Sequence, residues 1–371
     1  MRQEQREGRN KGIVAGVAAL AMMFSAVVLF GYNAFQNNLG TVAAPIPVVA
    51  RWSSMPVAWL MNASTPSNNV SNSTADCNNT LANCIQLSLA AGFSTWSNAK
   101  VPIGNTPATL TDVAASYSGN SSLSSPVYND CQNVIGFSDT SSSDFSTGTI
   151  AFTEVSTATA SSPTAFPFQY QCNGGAMKTC NYANCVADAD IEFNPSEKFT
   201  TSLSPPAGTF SLQSVATHEE GHLLGLNHSG IGHSVMFPFG DSTFAGQQIQ
   251  VSTDDAIGIS FLYPSASFST ATGSISGTVN LSGTGVFGAH VVAVNAATGD
   301  AVTDGLTAPD GAYNLVGVPP GSYYILALPL APDANSGILT MDNFSGWVCG
   351  YADSTCTTLP QNPTSYTARY H

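Results

Sequence analysis

The chain has 371 residues, a formal net charge of −14, and nine lysines and arginines against 23 aspartates and glutamates. Arg2, Arg6, Arg9 and Lys11 precede the first apolar run, so the remainder carries no basic surface suited to nucleic acid. The length predicts two domains after a targeting segment, and the acidic, lysine-poor composition is typical of an extracellular protein.

An apolar run from Ile13 to Tyr32 follows the basic start of the chain. At about 20 residues it is long enough to span a bilayer, so it predicts a cleaved secretory signal or an uncleaved anchor. A small-residue cleavage site follows at Thr41–Ala43. We assign residues 1–40 to this segment, which would be the chain's only contact with a membrane. In either case the rest of the protein leaves the cytoplasm.

Residues 41–76 are rich in Ser, Asn, Thr and Pro, which predicts a linker or short pro-segment. An apolar periodicity of three and four residues then predicts a helix from Leu81 to Trp96. Short strands are predicted at residues 133–137, 149–155 and 189–193. A second helix is predicted to begin near Ser211 and to bury Leu212, Val215, Leu223 and Leu224.

Eight cysteines, an even number, favour disulfides formed in an oxidising compartment. Three groups are close in sequence: Cys77 with Cys84; Cys172, Cys180 and Cys185, with Cys131 as a candidate fourth member; and Cys349 with Cys356. Sequence does not determine their connectivity. A zinc knuckle is the alternative interpretation of the middle group.

The segment HEEGHLLGLNH, from His218 to His228, carries the strongest functional signal. Residues four apart share one face of a helix, so His218 and His222 can bind one metal ion. Gly225 can adopt a positive φ and turn the chain so that His228 becomes the third ligand. Three ligands with an open fourth position describe a catalytic zinc site. Glu219 is then placed to take a proton from the attacking water.

This motif resembles the signature of the metzincin zinc endopeptidases. Met236, in SVMFP, resembles the methionine of their supporting turn, and Ser229 after the third histidine is similar to the matrixin pattern. The segment Ser252–Pro264 resembles the matrixin C-terminal helix, and Ser252 with Asp255 also has capping-box spacing. Asp254 and Asp255 are therefore interpreted as structural residues.

The resemblance implies an α+β fold with a metzincin catalytic domain at residues 77–264, built on a twisted mixed sheet and an active-site helix. It also implies that Phe237, Pro238 and Phe239 line one wall of the substrate pocket. The second, structural zinc of many matrixins is not expected in its usual form, because no histidine precedes His218. His233 is interpreted as a polar loop residue.

After a small-residue linker at residues 265–272, short strands alternate with Gly and Pro turns. They predict a small all-β sandwich domain at residues 273–332, with strands at 274–280, 290–295, 312–316 and 322–328. Its sequence resembles the carboxypeptidase regulatory-like domains, which usually act as spacers, stabilisers or adhesion modules. His290 is interpreted as a strand residue. A cysteine-containing tail is assigned to residues 333–371.

The leading hypothesis is a secreted zinc endopeptidase that acts on protein or peptide substrates. One alternative is an extracellular adhesion or binding protein with a catalytically idle zinc domain, although an intact Glu219 weighs against it. Another is a processing enzyme tethered to the outer face of the membrane. The acidic side chains could also bind Ca²⁺, which prefers oxygen ligands.

Overall fold

The computed structural model describes residues 33–62, 70–71, 80–123, 126–137, 145, 148–173, 175–239, 249–331, 339–353, 356 and 369–370. The apolar run from Ile13 to Tyr32 and Cys77 lie outside these ranges. Among the described residues, no helix has the length and apolar character needed to cross a membrane.

The part of the chain up to Pro264 combines strands and three helices. The helices are α1 (Leu81–Ser97), α2 (Leu212–Leu223) and α3 (Thr253–Leu262). The strands are β1 (Gln36–Asn38), β2 (Pro47–Val49), β3 (Val57–Asn62), β4 (Val70–Ser71), β5 (Val101–Ile103), β6 (Thr106–Ala108), β7 (Ala115–Ser121), β8 (Val134–Phe137), β9 (Ala151–Thr159), β10 (Phe168–Gln171), β11 (Met177–Cys180), β12 (Asn184–Phe193), β13 (Phe199–Thr200) and β14 (Phe210–Ser211). The predicted helices and strands are therefore present, with β9 and β12 longer than expected.

A five-stranded mixed sheet in the order β7-β3-β8-β12-β9 forms the centre of this part. Strand β9 runs antiparallel to β12, whereas the neighbouring pairs in the rest of the sheet are parallel. Helices α1 and α2 pack against each other, and the Trp96 indole on α1 donates to the Thr217 carbonyl on α2 at 2.8 Å. The sheet and helices share one apolar core. The expected α+β class with a mixed sheet is found.

The assignment of residues 41–76 to a linker or pro-segment is corrected by the structure. Strand β3 lies inside the five-stranded sheet, between β7 and β8, and buries Val57, Trp59 and Met61. Strand β1 falls within residues 1–40 and pairs with β2. The five-stranded sheet thus includes residues that precede residue 77. The Ser/Asn/Pro-rich surroundings obscured a short strand whose apolar residues recur with period two.

The described residues of the C-terminal part contain strands, two short α-helices and a 3-10 helix at Met341–Phe344. The strands and α-helices are α4 (Phe268–Ala271), β15 (Gly273–Thr278), β16 (Asn280–Leu281), β17 (Thr284–Gly285), β18 (His290–Asn295), β19 (Ala301–Leu306), β20 (Ala312–Val318), β21 (Tyr323–Leu328), α5 (Ser345–Val348) and β22 (Arg369–Tyr370). The sheet β19-β18-β21-β22 and the pair β15-β20 contribute side chains to one apolar cluster. Each of the four predicted strand segments overlaps a strand.

Three features of this part differ from the expectations. Strand β19 was not predicted, because its Asp304 and Gly305 belong to residue types depleted in strands. The presumed linker 265–272 contains α4, whose Phe268 is buried. Part of the presumed tail is also folded: residues 339–353 contribute to an apolar cluster with the β-rich unit. The members of that cluster are Phe287, Leu306, Ala308, Leu330, Phe344, Trp347, Val348 and Tyr351.

Disulfides connect Cys131 with Cys172, Cys180 with Cys185, and Cys349 with Cys356. Cys84 is also disulfide-bonded. The preference for disulfides over a zinc knuckle is therefore confirmed, and the middle group separates into two bridges.

Glu220 is a buried carboxylic acid at the contact between α1 and α2. Neither of its oxygens has a hydrogen-bond partner among the described residues, and burial raises its pKa well above the ordinary value of 4.5. Gly92 provides the space, since a Cβ added there would lie 2.2 Å from a Glu220 carboxyl oxygen. The side chain is thus kept neutral in a position that favours an apolar residue.

We expect Glu220→Leu to stabilise the protein by about 1–3 kcal/mol, because it removes an unpaired buried polar group. A carboxyl whose pKa is raised on folding costs more stability as the pH climbs above its unfolded-state pKa of 4.5, so the gain should be larger at pH 8 than at pH 5. Denaturant unfolding at both pH values measures it. Glu220→Gln is the control, since it removes the pH dependence but retains a buried polar group. A pH-independent gain for Glu220→Leu would contradict this account.

Candidate metal centre

Helix α2 and the turn after it position the predicted ligands. The helix starts at Ser211, whose hydroxyl accepts from the Ser214 amide, and ends in a turn at Gly225 with φ of 100°. A Cβ at Gly225 would lie 2.9 Å from the Ala50 carbonyl oxygen, so both the positive φ and the close approach require glycine. The turn that the sequence predicted at this glycine is confirmed.

This turn brings His218, His222 and His228 together. Their ligand nitrogens lie within 4.8 Å of one another, and all three side chains are buried. Among the described residues, no other group of three or more His, Cys, Asp or Glu side chains is close enough to share an ion.

Each imidazole is oriented by one main-chain carbonyl. The Nδ1 atom of His218 lies 2.6 Å from the Val235 oxygen, and that of His222 lies 2.8 Å from the Leu226 oxygen. His228 makes the same contact with the Asn343 oxygen at 2.5 Å. A carbonyl only accepts, so each Nδ1 carries the hydrogen and each Nε2 presents a lone pair.

The three lone pairs fit a zinc ion. The Nε2 atoms of His218 and His222 are 3.1 Å apart, yet two acceptors cannot hydrogen-bond to each other. Two nitrogens bound to one tetrahedral zinc at about 2.0–2.1 Å would lie about 3.3 Å apart. The buried Nε2 of His228 has no hydrogen-bond partner among the described residues. A shared cation satisfies all three atoms.

Burial keeps the ligands in the form that binds metal. It lowers the pKa of His218 to about 3 and that of His228 to about 4, and it lowers the pKa of His222 well below 6.5. The carbonyl contacts act in the opposite direction but are outweighed. All three imidazoles are therefore neutral near pH 7, and metal binding there displaces no proton from them.

Glu219 lies next to the triad and has one oxygen available. The Thr153 hydroxyl on β9 lies 2.7 Å from Oε2 of Glu219, whereas Oε1 has no hydrogen-bond partner among the described residues. Burial raises the pKa of Glu219 to about 8, and the Thr153 hydrogen bond lowers it in part. Thr153 was missed by the sequence interpretation, because nothing in a strand sequence tells which distant carboxylate a hydroxyl will meet.

The methionine turn is held by one carboxylate of α3. Asp255 accepts from the Val235 amide at 2.8 Å, from the Met236 amide at 3.1 Å, and from the Ser234 hydroxyl. It also forms the predicted capping box with Ser252. The structural interpretation of Asp255 agrees with these contacts, which connect the start of α3 to the turn beneath the histidines.

Met236 itself packs tightly under α2. A Cβ at Gly221 would lie 2.3 Å from the Met236 sulfur and 2.7 Å from the Trp96 ring. The glycine between the first two ligands therefore allows the methionine turn and α1 to approach the helix. Met236 is fully buried, as expected for a supporting residue.

The residues expected to line the pocket follow this turn. Pro238 is buried, and the half-buried rings of Phe237 and Phe239 meet edge to face at 5.6 Å. Gly240 and the eight residues after it lie outside the described ranges, so the pocket wall stays a prediction. His233 is exposed in the loop before the turn, where the sequence placed it.

Two buried aspartates lie side by side on β12, away from the triad. Burial raises the pKa of Asp188 to about 7, with repulsion from Asp130 adding to it, and raises that of Asp190 to about 10. These carboxylates do not come close enough in a group of three to hold an ion. Calcium binding stays a prediction.

Comparison with known proteins locates the family resemblance on the same residues. Residues 137–264 match the family model for matrixin. A segment of 90 residues, 24% of this chain, is 40% identical to stromelysin-3 of Xenopus laevis and covers 18% of that protein. A segment of 76 residues, 20% of this chain, is 41% identical to metalloendoproteinase 2-MMP of Arabidopsis thaliana and covers 19% of it.

A third relative is metalloendoproteinase 1 of Glycine max, which is 33% identical over 101 residues. That match takes in 26% of this chain and 32% of the relative. The chain thus spans less than a third of the length of these relatives, and the similarity concerns the domain that carries the triad. Residues 137–264 are accordingly similar to the matrixin family, and two of these relatives are named metalloendoproteinases.

Proposed function

We propose that this chain is a secreted zinc-dependent endopeptidase in which Glu219 is the general base. The arrangement of the triad is the observation that supports this most directly. Three neutral imidazoles, each held through Nδ1, have ligand nitrogens within 4.8 Å of one another, and Glu219, next to His218 in the chain, has an oxygen without a hydrogen-bond partner among the described residues. His218, His222 and His228 would hold a zinc ion there, which would supply the acidification of a water molecule and the polarisation of the scissile carbonyl.

The protein residues would then handle the proton. Glu219 takes it from the attacking water through Oε1, because Oε2 is engaged by the Thr153 hydroxyl. It afterwards delivers the proton to the departing amine. His218, His222 and His228 would hold the metal, and each keeps its proton on Nδ1, which donates to a carbonyl oxygen.

The substrate is expected to be an extended peptide. Strand β9 pairs only with β12 among the described strands and carries Thr153, so its outer edge borders the site. An edge strand offers unpaired main-chain groups to which an extended peptide can add. Phe237, Pro238 and Phe239 would form the wall of the pocket that receives the side chain after the cleaved bond.

The β-rich unit of residues 273–332 would be a sandwich domain of the carboxypeptidase regulatory-like type. Support comes from its Gly- and Pro-punctuated strands and from the apolar cluster that its sheets share. Secretion is supported by the composition and by the disulfides, which form in oxidising compartments.

Replacement of the general base should abolish cleavage without loss of metal. We expect Glu219→Gln to lower kcat about 100- to 10,000-fold, because the proton acceptor is removed. The measurement is cleavage of an unbiased peptide library by the purified full chain, with zinc content determined on wild type and variant. His222→Ala is the matched control for metal loss.

The alternative is an adhesion protein with an idle zinc domain. It would be favoured if the wild type and Glu219→Gln each hold zinc and neither cleaves any peptide. Wild-type protein that binds no zinc would overturn the metal centre itself.

Thr153 should act on the catalytic step through the orientation of Glu219. We expect Thr153→Val to lower kcat about 10- to 100-fold at unchanged KM and zinc content, since a hydrogen bond to a charged group is lost. Thr153→Ser retains the hydroxyl and should recover most of the activity. Steady-state kinetics with a peptide from the library measure both, and equal kcat for the valine and serine variants would refute the role of the hydroxyl.

A further inference from the structure

The turn that carries the third ligand is held by residues outside the segment that matches the matrixin family. His218 and His222 contact carbonyls of Val235 and Leu226, both within residues 137–264. The carbonyl that orients His228 belongs to Asn343, 115 residues further along the chain. The third ligand is thus the one that depends on the C-terminal part.

A second contact from the C-terminal part reaches the same turn. The Gly230 amide donates to Oδ2 of Asp304 on β19 at 2.6 Å, and His290 lies 2.7 Å from that oxygen. The Asp304 amide donates to Asp254 at 3.0 Å, and Asp254 accepts from the Ser229 hydroxyl at 2.6 Å. Both residues that follow His228 are therefore fixed by one buried network that joins α3 to β19.

The segment that supplies the Asn343 carbonyl is itself firmly anchored. The Asn343 side chain accepts from the Thr340 amide at 2.8 Å, which closes the turn at residues 340–343. Phe344, Trp347 and Tyr351 then pack into the apolar cluster with the β-rich unit. The disulfide from Cys349 to Cys356 constrains the end of the segment.

This segment also touches the zinc domain from the side of its first strand. The Asn38 side chain on β1 donates to the Ala352 carbonyl at 2.8 Å. A Cβ at Gly346 would lie 2.3 Å from the Phe35 ring and 3.0 Å from the side-chain Nδ2 of Asn227. Gly346 thus allows its segment to pack closely against Phe35 and Asn227. Asn227 directly precedes His228, the third predicted ligand.

We propose that residues 287–331 and 339–353 are a positioning element for the catalytic metal, which holds His228 in ligand geometry through the Asn343 carbonyl and the Asp304 carboxylate. The inference rests on the proposed function of the triad and extends it. A partner on the second ring nitrogen determines the tautomer and orientation of a ligating histidine, and its loss typically costs about 10- to 100-fold in metal affinity. Retention of zinc therefore depends on docking of the C-terminal part, which a passive spacer domain would not influence.

The test is a variant that displaces the segment without changing any ligand. Gly346→Val adds a side chain where Phe35 and Asn227 leave no room. Asp342→Ala is the matched control, because Asp342 is exposed in the same segment. The full chain is loaded with zinc, and the dissociation constant and the rate of zinc transfer to a chromogenic chelator are measured.

We expect zinc affinity to fall about 10- to 100-fold in Gly346→Val and to stay at the wild-type value in Asp342→Ala. The absorption spectrum of the cobalt(II)-substituted protein should change in the valine variant alone, because it reports the ligand geometry. The double variant Cys349→Ser with Cys356→Ser loosens the same segment more mildly and should show the same direction of change.

The inference would be overturned if either displaced variant kept wild-type zinc affinity and an unchanged cobalt spectrum while it still unfolded cooperatively. That result would leave the proposed function intact. Failure of the wild type and Asp342→Ala alike to bind zinc would instead contradict the proposed function. The two failures are therefore distinguishable.

Discussion

The arrangement of the site depends on one repeated interaction, the hydrogen bond from a buried imidazole Nδ1 to a main-chain carbonyl. His218, His222 and His228 each make it, and it leaves each Nε2 as a buried lone pair. The buried Nε2 of His228 has no hydrogen-bond partner among the described residues, and a cation shared with the other two imidazoles would supply one. Packing of the surrounding chain therefore holds the three imidazoles in an arrangement that suits a metal ion.

Several contacts connect the histidine site to the neighbouring helices, sheet and turn. Asp255 connects the methionine turn to α3, and the turn in turn orients His218 through the Val235 carbonyl. Thr153 connects the sheet to the Glu219 carboxylate. Gly221 and Gly225 matter here because they permit main-chain approaches that a Cβ would block. Residues of α2, α3, strand β9 and the methionine turn therefore meet around the three histidines.

The C-terminal part changes the usual picture of a catalytic domain with an attached module. Its strand β19 and the segment of residues 339–353 contact the turn of the third ligand directly. Asp304 is fully buried, and separation of the two parts would break its hydrogen bonds with the Gly230 amide and with Asp254. A domain boundary drawn at residue 264 from composition therefore divides a continuous set of buried contacts.

The sequence alone predicted the three histidines that the structure brings together, because helical periodicity and a glycine turn are local rules that hold wherever the segment folds. It likewise identified the capping box at Ser252, both long helices and the disulfide chemistry. Strand β3 was overlooked, since six residues of alternating burial in a polar region give little local signal. The sequence could not identify Asn343, Asp304 or Thr153, because each contacts a residue at least 66 positions away. The groups that make these contacts are a carbonyl, a carboxylate and a hydroxyl, which many residues carry. Only the tertiary structure decided which distant groups orient the site, since such contacts arise from chain packing and leave no spacing pattern in the sequence.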